Sequence, residues 1–269
     1  MSKLTFGLNT STIRPAGPRE KIEITAKAGY EAIEMWISDI DQYVKDGGKV
    51  VDLRKLLDDL ALARPSMIML GGFYAADEKA FQQAMEECKR RLQMASELGI
   101  KRIVASPPRE VVDRKLAIDR YGKLLEVSQG FGVPASVEFL GFVDGINTLE
   151  EAWAICTGPG NPAATVTPDI WHMFRGGTNL TSLEQVPADH ISCFHWNDAP
   201  REPARVEQND SHRVYPGDGI MPLKQIADQL RKKGWEGCLT LELFNPSYWK
   251  EDPLTVAKTG LAKMKASVE

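Results

Sequence analysis

The segment RKKGWEGCLTLEL, residues 231–243, decides how the chain is read. Its basic start reads as a helix end. Gly234 suits the left-handed backbone position just past such an end, where a Cβ would be penalised. Beyond it, Leu239, Leu241 and Leu243 alternate with Thr240 and Glu242, the period of a strand with two different faces. The same punctuation recurs upstream in AKAGYEAIEMW (26–36), SELGIKRIVAS (96–106) and SQGFGVPASVEF (128–139), with Gly29, Gly99 and Gly132 in the same role. Extended along the chain, it gives eight predicted strands, at 4–9, 31–36, 66–70, 101–106, 134–139, 164–169, 191–196 and 238–243. Helical patterns such as DEKAFQQAMEECKRRLQMASEL (77–98) and PLKQIADQLRKK (222–233) lie between them. Strands alternating with helices predict parallel βαβ units. Eight units in 269 residues predict an α/β protein of the (β/α)8 TIM barrel class, one domain over 1–269 with no linker to divide it. A doubly wound sheet is the competing fold, but no GxGxxG follows the first strand.

Composition narrows the function classes. The chain is 43% hydrophobic and 26% charged, the balance of a globular protein with a sizeable core. A net charge of −4 and basic runs no longer than three residues give no electrostatic footprint for nucleic acid. The start, MSKLTFGLNT, lacks a signal-peptide apolar core, and no stretch approaches transmembrane length, so no membrane partner is expected. Cys88, Cys156, Cys193 and Cys238 are scattered without CxxC spacing and read as reduced core thiols of a cytoplasmic protein. Nothing in the sequence decides between a monomer and a homo-oligomer.

In a barrel, alternate strand residues face the interior. Applied to the last four strands, this alternation turns Glu138, Asp169, His195 and Glu242 inward, each near the C-terminal end of its strand. Barrel enzymes place their sites at that end. Each residue alone has a plainer reading, a carboxylate bonded to a loop or a histidine packed in the core. The agreement of four strands in facing and height is what carries the reading. Three carboxylates packed together repel one another and pay for desolvation as well. A divalent cation removes both difficulties. Ligation by oxygen and nitrogen without thiolate suits Mn²⁺ first, with Mg²⁺, Co²⁺ or Zn²⁺ as alternatives. The same inward logic nominates Glu34 and Asn9 as substrate contacts, with a structural hydrogen bond across the barrel mouth as the alternative for each.

The chain resembles the xylose isomerase-like TIM barrels, the sugar isomerase/epimerase superfamily, and within it is most similar to the inosose isomerases. The strings that carry the likeness run from FGLNTST and KAGYEAIEMW through VEFLGFVDGINTLEEAW and DIWHMFRGGTNLTSLEQ to FHWNDAP, HRVYPGDG and LELFNPSYWK. The resemblance implies one divalent metal held by Glu138, Asp169, His195 and Glu242. It also implies a substrate-contacting His172 and, from HRVYPG, Arg213 as a substrate contact. Glu138 and Glu242 become the expected acid/base pair, with His172 orienting and polarising substrate oxygens.

The expected reaction is proton movement between adjacent carbons of a keto-polyol or keto-sugar through an enediol(ate), most simply by an inosose isomerase or an epimerase. A dehydratase or lyase of the same superfamily is the alternative, acting on an inosose, 3-dehydroshikimate or an oxidised C-glycoside. Its chemistry opens with the same proton abstraction. A nuclease of the endonuclease IV type needs more histidines than the four present, none of which precedes residue 172. A non-catalytic sugar-binding barrel would not require a complete ligand set.

Overall fold

The structure is a computed structural model and describes residues 3–269. Eight parallel strands are present: β1 Thr5–Asn9, β2 Ala32–Trp36, β3 Met67–Leu70, β4 Ile103–Ala105, β5 Ala135–Glu138, β6 Thr165–Thr167, β7 Cys193–Trp196 and β8 Cys238–Leu241. Each lies within a predicted strand. The helices are α1 Pro18–Ala28, α2 Ile37–Lys45, α3 Val50–Asp59, α4 Glu78–Leu98, α5 Arg114–Gly130, α6 Leu149–Thr157, α7 Ile170–Gly176, α8 Leu223–Lys232 and α9 Pro253–Ser267. The four predicted helix-end glycines all have positive φ, at 93° for Gly29, 74° for Gly99, 72° for Gly132 and 73° for Gly234. Among the described residues no helix is long and apolar enough to cross a membrane.

The strands are ordered β6-β5-β4-β3-β2-β1-β8-β7, all parallel. Two isolated parallel bridges, Val166–Ile191 and Asp169–His195, join the outer edges and bring the sheet round into a barrel. The second bridge sets two of the inward-facing residues side by side. Regular pairing of β6 stops at Thr167 because Pro168 has no N–H to contribute. The chain then turns directly into α7, with Asp169 as its N-cap accepting from His172 N at 2.7 Å.

The two faces of the strands differ sharply. Leu8, Ile33, Val137, Phe139, Phe194, Leu239 and Leu241 are fully buried in the apolar core. Contact between strand and helix is close enough that a Cβ on Gly260 of α9 would fall 2.2 Å from Leu241 Cδ2. The barrel interior is polar. Ser136, Thr167 and Ser192 form a triangle of hydroxyls 2.8–2.9 Å apart. Above this layer the interior positions become ionisable.

Candidate metal centre and active site

His195, fully buried at the end of β7, is the hub of the site. Its two ring nitrogens face different surroundings. Nε2 lies 3.1 Å from Glu34 Oε2 and 3.3 Å from Glu34 Oε1. Nδ1 has Glu138 Oε1 at 3.2 Å, Glu242 Oε2 at 3.2 Å and Asp169 Oδ2 at 3.5 Å, yet makes no aligned hydrogen bond. With Nε2–H donated to Glu34, Nδ1 is the nitrogen whose lone pair a cation would take.

The second oxygens of these carboxylates are held by donors. Ser106 Oγ donates to Glu138 Oε2 at 2.8 Å, and Asn9 Nδ2 to Glu242 Oε1 at 3.1 Å. His172 N holds Asp169 Oδ1, while Asn197 Nδ2 donates to Asp169 Oδ2 at 3.1 Å. Each carboxylate therefore presents one oxygen toward His195 Nδ1, and Glu138, His195 and Glu242 offer ligand atoms all within 4.8 Å of one another.

The donor set fits a divalent cation. Ligand atoms about 2.0–2.2 Å from one ion sit roughly 3.0–3.6 Å apart, the spacing found around Nδ1. The unpartnered, buried Nδ1 is the observation that carries the fit, since such a nitrogen otherwise loses its hydrogen bond for nothing. Charge agrees with it. Burial pushes the Glu242 carboxyl up to about 7 even though His195 and Arg213 pull it down. Burial opposes a charge on His195 as well, but Glu242 and Glu34 raise its pKa well above the ordinary imidazole value. Without a cation the carboxylates keep a proton on His195, in the place a metal would take.

Glu138, Glu242, His172, Arg213 and Asp210 line a cavity of about 170 Å³, walled by Trp36, Phe142 and Phe244 among others. Asp169, His195, Glu34 and Asn9 do not line it. This differs from the expectation of Glu34 and Asn9 as substrate contacts. Glu34 is wholly buried and takes Asn9 Nδ2 at 2.7 Å and the Ser66 hydroxyl. Asn9 Oδ1 accepts from Ser11 N at 3.0 Å and from Trp36 Nε1 at 2.9 Å. Both are saturated by protein partners, and their position is that of groups orienting His195 and Glu242.

Arg213, expected as a substrate contact, is 1% exposed and packed into the site. Its Nη1 donates to Asp169 Oδ2 at 2.6 Å and Glu242 Oε2 at 2.9 Å, and its Nη2 to Asp210 Oδ1 at 2.7 Å. Nη2 also lies 3.0 Å from His172 Nε2, while Gly141 N–H meets His172 Nδ1 at 3.1 Å. Burial lowers the pKa of His172, and the Arg213 charge adds to that, so the ring is neutral with a single N–H. Only one of the two contacts is then a hydrogen bond. Among the described residues the Gly141 amide has His172 Nδ1 as its acceptor, whereas Arg213 Nη2 already has Asp210 Oδ1, which assigns the acceptor to Nδ1 and an N–H to Nε2. Two donors, His172 Nε2–H and Arg213 Nη2, thus converge on one point that an oxygen would satisfy.

Three further residues act on this geometry. Asn197 holds Asp169, accepts Trp171 N on its Oδ1 at 2.8 Å, and donates to Glu242 O at 3.3 Å, tying three segments together. It sits two residues after His195, so one more step of the inward alternation reaches it. Asp210 precedes Arg213 by three residues and fixes it through Nε and Nη2. Asp198 accepts the N–H groups of Ala199, Gly217, Gly219 and Met221 at 2.8–3.2 Å, which anchors the segment that follows Arg213. A larger concavity of about 820 Å³ lies along α8, but its one buried carboxylate, Asp198, is already committed to those amides. The smaller cavity is where the chemistry converges.

Comparison with known proteins agrees with the barrel fold. The family model described as xylose isomerase-like TIM barrel matches residues 22–267. A Bacillus velezensis inosose isomerase is 28% identical, with 95% of this chain and 94% of that protein covered. A Pseudomonas putida 3-dehydroshikimate dehydratase is 24% identical over 85% of this chain but only 36% of its own length. Among solved structures, the IolI protein with a zinc atom superposes with a TM-score of 0.92 at 24% identity, covering 98% of both chains.

Proposed function

Because the chain belongs to the xylose isomerase-like TIM barrel family, we propose that it is a metal-dependent isomerase that moves a proton between adjacent carbons of a cyclic keto-polyol, an inosose. Its inosose isomerase relatives are matched over nearly their whole length. The observation that carries the chemistry is the placement of Glu138 and Glu242, the two carboxylates that both face the cavity and reach His195 Nδ1.

Glu138, Asp169, His195 and Glu242 would hold the ion, with Mn²⁺ our choice for a set of three carboxylates and one imidazole. Bound there, a divalent cation polarises the ketone and offsets the carboxylate charge. The protein's own groups do the proton work. One of Glu138 and Glu242 takes the proton from the carbinol carbon beside the ketone, leaving an enediolate. The other delivers a proton to the former carbonyl carbon. Between these steps a hydroxyl proton passes from one oxygen to its neighbour, so the carbonyl moves by one carbon with no change of composition. His172 Nε2–H and Arg213 donate to the oxygens on which charge develops. Phe142 and Leu140 give the cavity an apolar side that limits water beside the enediolate.

The test is incubation of Mn²⁺-loaded protein with 2-keto-myo-inositol in D₂O, followed by NMR. A second inosose with deuterium at carbons flanking the migrating carbonyl is the expected product. A diketone lighter by one water would identify a dehydratase instead. No change in this substrate would overturn the inosose assignment.

A further inference from the structure

Trp36 and Phe244 line both the catalytic cavity and a second, adjoining cavity of about 110 Å³. Trp36 is fixed through its Nε1 to Asn9 and meets Phe244 edge to face at 5.6 Å. The other walls of the second cavity include Ser11, Arg14, Lys21, Ser38 and Asp39.

Three independent features of this cavity ask for the same ligand. Ser11 is 4% exposed, and its hydroxyl lacks a hydrogen-bond partner, an arrangement that folding does not leave without cost. The N-terminus of α2 opens here, with Trp36 as N-cap, no side-chain cap, and Ser38 and Asp39 of its first turn lining the cavity, so the positive end of the helix lies beside the space. The charge is also one-sided. Asp39 is neutralised, with Lys21 Nζ on Oδ1 at 2.6 Å and Thr10 Oγ1 on Oδ2 at 2.7 Å. Lys21 is almost wholly buried and retains two of its three donors. Arg14 has no carboxylate partner among the described residues, and its guanidinium lies 5.3 Å from the Trp249 ring centroid. Arg14 and Lys21 against Asp39 leave the lining one positive charge in excess. Unpaired hydroxyl, helix N-terminus and excess cation together select a compact oxyanion.

We propose that this cavity is an oxyanion subsite that receives a carboxylate or phosphate carried on the substrate, while the keto-polyol end faces Glu138 and Glu242. The proposal rests on the isomerase reading for its substrate, but not for the binding itself. Neutral inososes leave the subsite to water, and a keto-sugar bearing an anion fills it.

Two measurements test it. Inorganic phosphate is titrated calorimetrically into metal-depleted protein, where no bound ion competes for it. Saturable binding is expected, weakened about tenfold or more in Arg14→Met and severalfold in Ser11→Ala. Ser11→Ala should melt no lower than the parent, since the hydroxyl it removes has no partner. The Mn²⁺-loaded protein is then assayed with D-fructose, D-fructose 6-phosphate and D-fructuronate. A higher kcat/KM is expected for one of the two anionic sugars, which identifies phosphate or carboxylate as the group. Its ratio to the fructose value should fall about tenfold or more in Arg14→Met. Absence of saturable phosphate binding, or binding indifferent to both substitutions, overturns the subsite whatever the turnover. Arg14-dependent phosphate binding with no preference among the sugars overturns the substrate-borne anion. Arg14-dependent binding without turnover of these sugars or of 2-keto-myo-inositol supports the subsite and sinks the isomerase reading instead.

Discussion

Replacing Glu34 by glutamine separates a substrate contact from a group that orients a metal ligand. Burial opposes the charged form of Glu34, but His195, Ser66 and Asn9 outweigh it and hold its pKa down to about 2, so it is ionised at any working pH. Its two oxygens take Asn9 Nδ2, the Ser66 hydroxyl and His195 Nε2–H. A glutamine has one carbonyl oxygen, and its amide must face a donor on the other side. The ring of His195 loses its charge-assisted partner and its fixed tilt. Outer partners of metal-bound histidines are worth about 10–100-fold in metal affinity, or about 1.4–2.7 kcal/mol. Glu34 does not line the cavity, so turnover at saturating metal should stay close to that of the parent. Mn²⁺ affinity by calorimetry, followed by rates on 2-keto-myo-inositol at saturating Mn²⁺, reads both quantities. Unchanged affinity together with lost turnover at saturating metal would refute this reasoning and return Glu34 to the substrate.

Other expectations follow from the same geometry. Protein stripped by a chelator and reloaded should take up one equivalent of Mn²⁺ by elemental analysis, and two or three tightly held ions would contradict a single cage around His195 Nδ1. Because His195 has a raised pKa without metal, uptake must expel a proton, so affinity should rise with pH. Calorimetry in buffers of different ionisation enthalpy measures that release, and identical heats would count against it. Glu242→Gln should lower kcat at least about 100-fold with an unchanged circular dichroism spectrum. Arg213 keeps Asp169 and Asp210 in that variant, so wholesale unfolding would contradict the assignment. Asp198→Ala strips four backbone amides of a charged acceptor and should destabilise the fold by at least about 3 kcal/mol in urea titrations, with faster proteolysis over 214–221. A loss within about 0.5 kcal/mol would mean those amides find water instead.

The fold was legible because its two signals are local. Glycine at a helix end and a period of two after it are written within a dozen residues, and all eight strands lie where that pattern put them. The facing of Glu138, His195 and Glu242 follows from the same period. Strand ends were less readable. Pro168 stops the β6 ladder before Asp169, which is an N-cap in the structure rather than a strand residue. Asn9 and Glu34 show a different limit. Alternation gives the face of a residue, whereas its depth depends on register. Asn9 pairs with Glu34 across β1 and β2, and both lie out of the cavity behind His195 and Glu242. No period in the sequence reports that Asp198 would gather amides from a segment twenty residues away.

Arg213 shows why such distant placements matter to the chemistry. Glu34, Glu138, Asp169 and Glu242 all approach His195, and Asp210 approaches the same guanidinium. In a fold without a bound ion, the charges that offset them are Arg213 and the proton on His195. Arg213 Nη1 bonds the Asp169 and Glu242 oxygens that face His195 Nδ1, and a carboxylate oxygen has lone pairs for two partners. The guanidinium can therefore stay in place when a cation replaces the His195 proton. Its second nitrogen, set against His172 Nε2–H, has no acceptor at that contact, where the proposed function puts a substrate oxygen. One arginine thus holds the carboxylates together without a metal and, on the proposed reading, offers with His172 a pair of donors to a substrate oxygen.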